Sequence, residues 1–296
     1  MKVIVLIEDN ISIIKFEMFK GIDVHFIETK SDCIFKTQKY DQQILEITHC
    51  KNGRFECEFK HNRFLYIREG EIVLNTTFNL PIKYFFPLKN YYGVSITINR
   101  NEISDDCYEL LKKFYIDIDF IIENLNSNNG WFTLKSEYKM ENIFQEIYDA
   151  KGDIEYLRIK VIELFHFVMK INIENLNSFK KFSGIYVEAV KEIRNKLIEN
   201  MLKSYTLEEI TQKYNISLTL FNELFKNIYG DTPYQYVKKY NMNRAANIIK
   251  TSDMPIIEIA NEVGYTNPSK FSKAFKDVFG VTPKIYRKRN EVLEHF

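Results

Sequence analysis

The chain of 296 residues is 45% hydrophobic and 27% charged, an ordinary globular balance with apolar mass for about two cores, which excludes a disordered or fibrous protein. Net charge is only +1, so the overall balance argues for no polyanionic partner; from Val190 onward, however, 17 Lys and Arg meet 12 Asp and Glu, which leaves the front of the chain acidic and the back basic. No apolar run approaches the roughly 20 residues of a membrane helix, and Met1–Ile7 breaks at Glu8-Asp9 without a small-residue cleavage site, so a cytoplasmic protein is expected.

Up to about residue 100, short β-type runs alternate with turn residues. Ile44–Thr48 and Arg54–Phe59 flank Lys51-Asn52-Gly53, and an Asn-Gly turn between alternating runs predicts a hairpin. Further runs at Phe64–Ile67, Ile72–Leu74, Ile82–Phe86 and Tyr92–Ile98 predict a small barrel or sandwich over residues 1–100. The opening Val3–Asn10, with Glu8-Asp9, has the look of a receiver-domain strand, but β-type runs follow where a helix should. Cys33, Cys50, Cys57 and Cys107 form no CxxC pair; Cys50 and Cys57 could meet across the hairpin, yet reduced thiols are expected. His25, His49 and His61 are scattered without an HxH pair, so no metal and no cofactor is expected, and His166 on its apolar stripe reads as a packed residue.

The period changes to helical at Ser104-Asp105-Asp106, and helices are expected over residues 102–171. One covers Met140–Tyr148. The next is capped by Asp153 and carries Ile154, Leu157, Val161, Leu164, Val168 and Ile171 at steps of three and four, the narrow seam of a coiled coil. That seam predicts either a homodimer through the Asp153–Ile171 helix or packing of the stripe on the chain's own sheet. Asn172–Ser183 is polar and reads as connecting chain. The expected division is a sensor and dimerisation domain over 1–175, a linker over 176–185, and an all-helical domain over 186–290.

Within the helical part, Phe225-Lys226-Asn227-Ile228-Tyr229-Gly230-Asp231-Thr232-Pro233 recurs fifty positions on as Phe275-Lys276-Asp277-Val278-Phe279-Gly280-Val281-Thr282-Pro283, with Tyr236 matched by Tyr286. Gly230 and Gly280 sit where a helix must stop, and each Thr-Pro opens the next. Upstream of each copy lies a pair of short helices. Thr206–Tyr214 and Ser217–Ile228 form the first pair; Pro255–Glu262 and the segment after Asn267-Pro268 form the second. Two short helices with a tight turn, the second apolar on one face through Phe221, Leu224, Phe225 and Ile228 or Phe271, Ala274, Phe275 and Val278, make a helix-turn-helix. A helix over about Pro233–Ile249 joins the two; at 1.5 Å per residue it spans roughly 25 Å, suited to two heads about one DNA turn apart.

Ile259-Ala260-Asn261-Glu262-Val263-Gly264-Tyr265, followed by Asn267-Pro268-Ser269-Lys270-Phe271 and Gly280 with Thr282-Pro283, resembles the signature of AraC-type transcription regulators, over about Val187–Arg287. Glu46–Phe59, Glu69-Gly70-Glu71 and Phe86-Pro87-Leu88 with Tyr92-Gly93-Val94 resemble, less strongly, the sensor domain of the siderophore-responsive subgroup. The resemblance implies an α+β chain with an N-terminal small cupin-like β-barrel and appended helices, then a C-terminal all-α tandem helix-turn-helix domain. It implies a sequence-specific regulator of double-stranded DNA, an activator rather than a repressor, meeting RNA polymerase and tuned by a small-molecule effector. The alternative is a regulator whose front domain only dimerises or binds a protein partner. No nucleophile–base pair or phosphate loop supports an enzyme.

The resemblance places base contacts at Thr219, Asn222 and Glu223 in the first head and Ser269, Lys270 and Lys273 in the second. Their chemistry suits the major groove, where Asn pairs with adenine, Lys with guanine, and Glu accepts from cytosine. Lys226, Lys238, Lys239, Arg244 and Lys276 are candidates to grip phosphates, a role that sets register rather than sequence. Asn241 stands where the family often carries Arg. A ligand pocket in the barrel would be lined by Phe55, Phe59, Phe64, Tyr66, Phe86 and Tyr92, whose other reading is plain barrel core.

Overall fold

The computed structural model describes residues 3–8, 11–31, 34–36, 43–127, 130–135, 138–171, 181–199 and 206–293. The chain divides into two compact units, Met1–Gly184 and Ile185–Phe296. Half of the stretch expected as a linker, residues 176–180, lies outside the described residues, but Phe182 and Ser183 form a short strand of unit 1.

Unit 1 opens with strands β1 (Val3–Glu8), β2 (Ile11–Phe19), β3 (Ile22–Thr29), β4 (Ile34–Lys36) and β5 (Ile44–Phe59). Strands β6 (Arg63–Arg68), β7 (Glu71–Thr76), β8 (Lys83–Phe85) and β9 (Tyr91–Asn99) follow. Helices α1 (Asp105–Lys113) and α2 (Ile118–Ser127), strand β10 (Trp131–Lys135), helices α3 (Tyr138–Asp149) and α4 (Ile154–Met169), and strand β11 (Phe182–Ser183) complete it. Every strand pair is antiparallel.

The hairpin expected at Asn52-Gly53 is absent: β5 runs through it for 16 residues. Gly53 has φ +85°, and the register shifts between Cys50 and Asn52, so the strand bends instead of reversing. A Cβ on Gly53 would stand 1.9 Å from the Asn90 carbonyl oxygen, a close approach that only glycine permits. The first half of β5 pairs with β7 and β9, the second half with β6 and β8. Two sheets thus share one bent strand. Among the described residues the strand order is β1-β2-β3-β9-β5-β6-β11, with β7 and β8 pairing to β5 beside that path. Strand β10, in territory expected to be helical, is drawn into the sheet by pairing along β7.

Alternation along the strands sorts the two faces. Val24, Phe26, Leu45, Ile47, Leu74, Val94 and Ile96 point to α1–α4 and build the main core with Leu111, Ile121 and Phe144. The other face carries a smaller cluster around Phe55, Phe59, Leu65, Ile67, Phe86, Tyr91 and Trp131. On α4, Ile154, Leu157, Val161, Leu164 and Val168 are all buried in the main core. A homodimer through that seam is therefore corrected: the stripe is already covered by the unit's own sheet and helices. Cys50, Cys57 and Cys107 are buried and free; Cys50 and Cys57 lie along one strand, and burial pushes their thiols well up.

Among its described residues unit 2 is all helical: α5 (Gly184–Ile198), α6 (Leu207–Lys213), α7 (Leu218–Tyr229), α8 (Pro233–Thr251), α9 (Ile256–Glu262), α10 (Pro268–Phe279) and α11 (Pro283–Leu293). No helix among the described residues is long and apolar enough to cross a membrane.

Candidate functional site

The repeat in sequence is a repeat in packing. Phe221, Phe225, Tyr229 and Tyr236 form one aromatic quartet, with Phe225 at 5.5 Å from Phe221, 4.8 Å from Tyr229 and 5.5 Å from Tyr236. Fifty residues on, Phe271, Phe275, Phe279 and Tyr286 repeat it at 5.9, 4.6 and 5.4 Å from Phe275. Edge-on and tilted aromatic pairs at such distances add to plain burial, so each quartet fixes the angle between a head's second helix and the helix that follows.

The helix ends are set locally. Thr206 and Glu209 make a complete capping box at α6, and Thr232 with Gln235 makes another at α8. Ser217 caps α7, and Asn267 accepts from the amides of Ser269 and Lys270 at the start of α10. Gly230 and Gly280 end α7 and α10 at φ +89° and +74°. Between the paired helices, Asn215 (φ +52°) and Gly264 (φ +88°) turn the chain, the second turn being one residue longer before its cap.

With the inner faces of α7 and α10 buried, their outer faces are open. Thr219, Asn222 and Lys226 are exposed and Glu223 is half-buried on α7; Ser269, Lys270, Lys273 and Lys276 are exposed on α10. Asn227 donates to the Glu223 carbonyl at 2.8 Å, an ordinary helical back-bond. The second face carries three lysines and no acid among these positions. The first mixes amide, hydroxyl, carboxylate and one lysine.

The remaining basic candidates stand differently. Lys238 bonds Asp277 at 2.7 Å, Lys239 bonds Asp231 at 2.8 Å, and Arg244 bonds Glu262. The Lys238 hydrogen bond holds the Asp277 carboxyl below the usual range. Two of these pairs tie α8 to the second head, one through α9 and one through α10. Asn241 is buried, so this position of α8 faces the interior. Arg194 on α5 was not foreseen: its Nε donates to the Tyr236 hydroxyl at 2.9 Å and its guanidinium lies 5.3 Å from that ring. A contact across 42 residues leaves no local pattern to find.

Unit 1 holds a cavity of about 370 Å³ on the sheet face away from the helices. Phe55 and Phe86 line it, whereas Phe59, Phe64, Tyr66 and Tyr92 do not. Phe59 packs on Trp131, Tyr66 meets Phe182, and Tyr92 faces Tyr148 on the helix side; Tyr91 takes the lining place expected of Tyr92. Polar groups line the cavity too. Lys15 pairs with Asp23 at 2.6 Å, His25 Nε2 lies 3.0 Å from Thr97 Oγ1, and Glu46 accepts from Ser95 Oγ and, at 3.1 Å, from Asn75 Nδ2. Burial, helped by the Lys15 charge, pushes His25 down to about 4, so it is neutral at pH 7. On the helix side His49 is also pushed down to about 4 by burial, stacked 4.5 Å from Phe144 and 3.0 Å from the Tyr148 hydroxyl.

Residues 210–289 match the family model of a helix-turn-helix domain. The regulator AlkR of Acinetobacter baylyi is 36% identical over 88 residues, covering 30% of this chain and 29% of its own. The activator RclR of Escherichia coli is 34% identical over 97 residues, covering 31% and 34%. The chain thus spans about a third of the length of these relatives. ToxT of Vibrio cholerae, a solved structure, covers 90% of this chain and 98% of its own at 18% identity, with a TM-score of 0.33, too low to bear on fold or ligand. Within unit 2, residues 210–289 therefore carry a helix-turn-helix domain.

Proposed function

Taking that domain as the premise, we propose that the chain is a sequence-specific DNA-binding transcription regulator, an activator acting on RNA polymerase in the cytoplasm, whose output is set by a small molecule in the unit 1 cavity. The observation that carries it is the doubled head: two helices, α7 and α10, each locked from behind by the same aromatic quartet and each open in front. Helix α8 has 19 residues and so spans about 28 Å at ~1.5 Å per residue, close to the ~34 Å turn of the duplex.

In this reading Asn222 pairs with adenine, Glu223 accepts from cytosine, and Lys270 or Lys273 donates to guanine, with Thr219 and Ser269 at the edges of the two contacts. Lys226 and Lys276, free of any acidic partner in a salt bridge among the described residues, take phosphates. Lys238, Lys239 and Arg244 already meet carboxylates, so their part shifts from gripping phosphate to bracing the heads on α8. A dimer through α4 would use its outer face, where Ile159 is 60% exposed.

The test is selection of duplexes from a random pool by the full chain. The reading expects a shared bipartite sequence, bound far more tightly than the starting pool and with a steep fall in affinity as salt rises. Recovered duplexes with no common sequence, bound no better than the pool, would overturn it.

A further inference from the structure

Charge along the cavity of unit 1 is not balanced. Lys15 and Asp23 neutralise one another at 2.6 Å. His25 carries no charge at pH 7. What remains is Glu46 within the cavity and Glu102, exposed at its edge. Glu46 has two hydrogen-bond donors, the Ser95 hydroxyl and the Asn75 amide, and both are neutral. No cation pairs with it among the described residues.

A carboxylate is not needed to brace Ser95 and Asn75. A glutamine carbonyl could accept both bonds and would avoid the cost of holding a charge away from bulk water. Each Glu46 oxygen also keeps a second lone pair after its one donor is counted, so the carboxylate can accept two further bonds. The same cavity has an apolar wall that includes Ile27, Phe55, Phe86, Tyr91 and Trp131. Phe86 and Phe55 stand 5.0 and 5.5 Å from the Tyr91 ring, so part of that wall is a continuous aromatic surface. An anionic ligand would meet two uncompensated carboxylates; a positively charged nitrogen would supply the missing counter-charge and fill the open lone pairs.

We propose that the cavity binds a small organic cation, an amine or amidine carried on an apolar or aromatic body, with Glu46 as its counter-ion. This rests on the reading of the cavity as an effector site and adds the chemical class of the effector. Recognition divides between the walls: the carboxylate selects the charged nitrogen, and Phe55, Phe86 and Trp131 bury the body.

The experiment uses the purified full chain, with calorimetry and thermal shift, and two sets of probes that differ only at one end. Tryptamine, tryptophol and indole-3-propionate form one set; phenethylamine, phenethyl alcohol and 3-phenylpropionate form the other. In at least one set the amine should bind saturably and about ten-fold or more tighter than the alcohol, with the acid weakest, as a charge-assisted bond demands. In Glu46→Gln that preference should shrink to about two-fold while alcohol binding is unchanged. The wild-type ranking needs no variant, so a failure of Glu46→Gln to fold leaves the test intact.

An alcohol or acid that binds as tightly as its amine overturns the cationic class and leaves the effector site standing. Silence from all six probes also overturns the cationic class. The effector site itself is judged separately by Ile27→Phe, which narrows the cavity. A reporter output that departs from wild type keeps it, and one indistinguishable across growth media removes it.

Discussion

The two units bury opposite things. Unit 2 hides two aromatic quartets, and Thr211 and Asn241 are the only polar residues buried in it among those described. Unit 1 buries Thr29, Thr48, His49, Glu56, Glu71, Asn75, Thr76 and Ser95 within its sheets. Buried polar groups cost free energy unless satisfied, and here Glu71 accepts from Arg68, Asn75 donates to Glu46, and His49 meets the Tyr148 hydroxyl. A dry core gives a rigid scaffold for reading a rigid lattice of grooves. Of the buried polar side chains of unit 1, Thr48 and Asn75 line the cavity, and in the proposed reading they help it discriminate among small molecules.

The largest effect that would sharpen this contrast lies in the dry core. Phe275→Ala should destabilise unit 2 by about 3–5 kcal/mol in denaturant melts and abolish DNA binding, with the unit 1 transition unmoved. Phe225→Ala should do the same; if either leaves the unit 2 midpoint in place, the quartets are not what holds the heads.

Acid should strike the other unit. His25 and His49 are neutral in the folded chain and protonate only near pH 4, whereas in the unfolded chain they protonate near 6.5. Above pH 6.5 neither state binds the proton and nothing is lost. As pH falls from 6.5 towards 4 the unfolded state takes it up first, so stability drops through that window by about 2 kcal/mol per histidine at pH 5. Calorimetry at pH 7 and pH 5 should lower the unit 1 transition and spare that of unit 2, whose described residues contain no histidine.

Smaller effects separate reading from folding. Lys273→Ala should weaken binding to a selected duplex by about 1–3 kcal/mol with no change in melting, and Lys276→Ala should lower the salt slope by about one. Smallest is Thr206→Ala, which removes a capping box and should cost about 1 kcal/mol. The equivalent start of the second head, Pro255, has no side-chain cap bond to lose. Equal losses from Thr206→Ala and Pro255→Ala in chemical melts would mean that the cap is idle.

The contrast also explains what could be read from residues alone. Helix signals are local: Thr206, Thr232, Asn267, Gly230 and Gly280 announce ends that depend on the next few residues, and the structure has all of them in those roles. Sheet signals are not. Asn52-Gly53 has hairpin chemistry, yet the distant partners β6, β7, β8 and β9 hold β5 as one bent strand. Strand parity is equally hidden, because a shift of one residue exchanges the faces. Tyr92 was expected at the cavity and Tyr91 is there; Phe64 and Tyr66 were expected and Leu65 and Ile67 hold the inner cluster. The seam of α4 was periodic enough for a coiled coil, but periodicity cannot say whether the partner is another chain or the chain's own sheet.

Helix α8 as a rod between two heads is best tested through the duplex rather than the protein. Once a bipartite site has been selected, five base pairs inserted between its halves turn one half to the opposite side of the helix. The full chain should then bind no better than it binds a duplex carrying one half alone, and ten inserted pairs should not rescue it, since the rod cannot lengthen. Unchanged affinity after either insertion would contradict two heads held at a fixed distance.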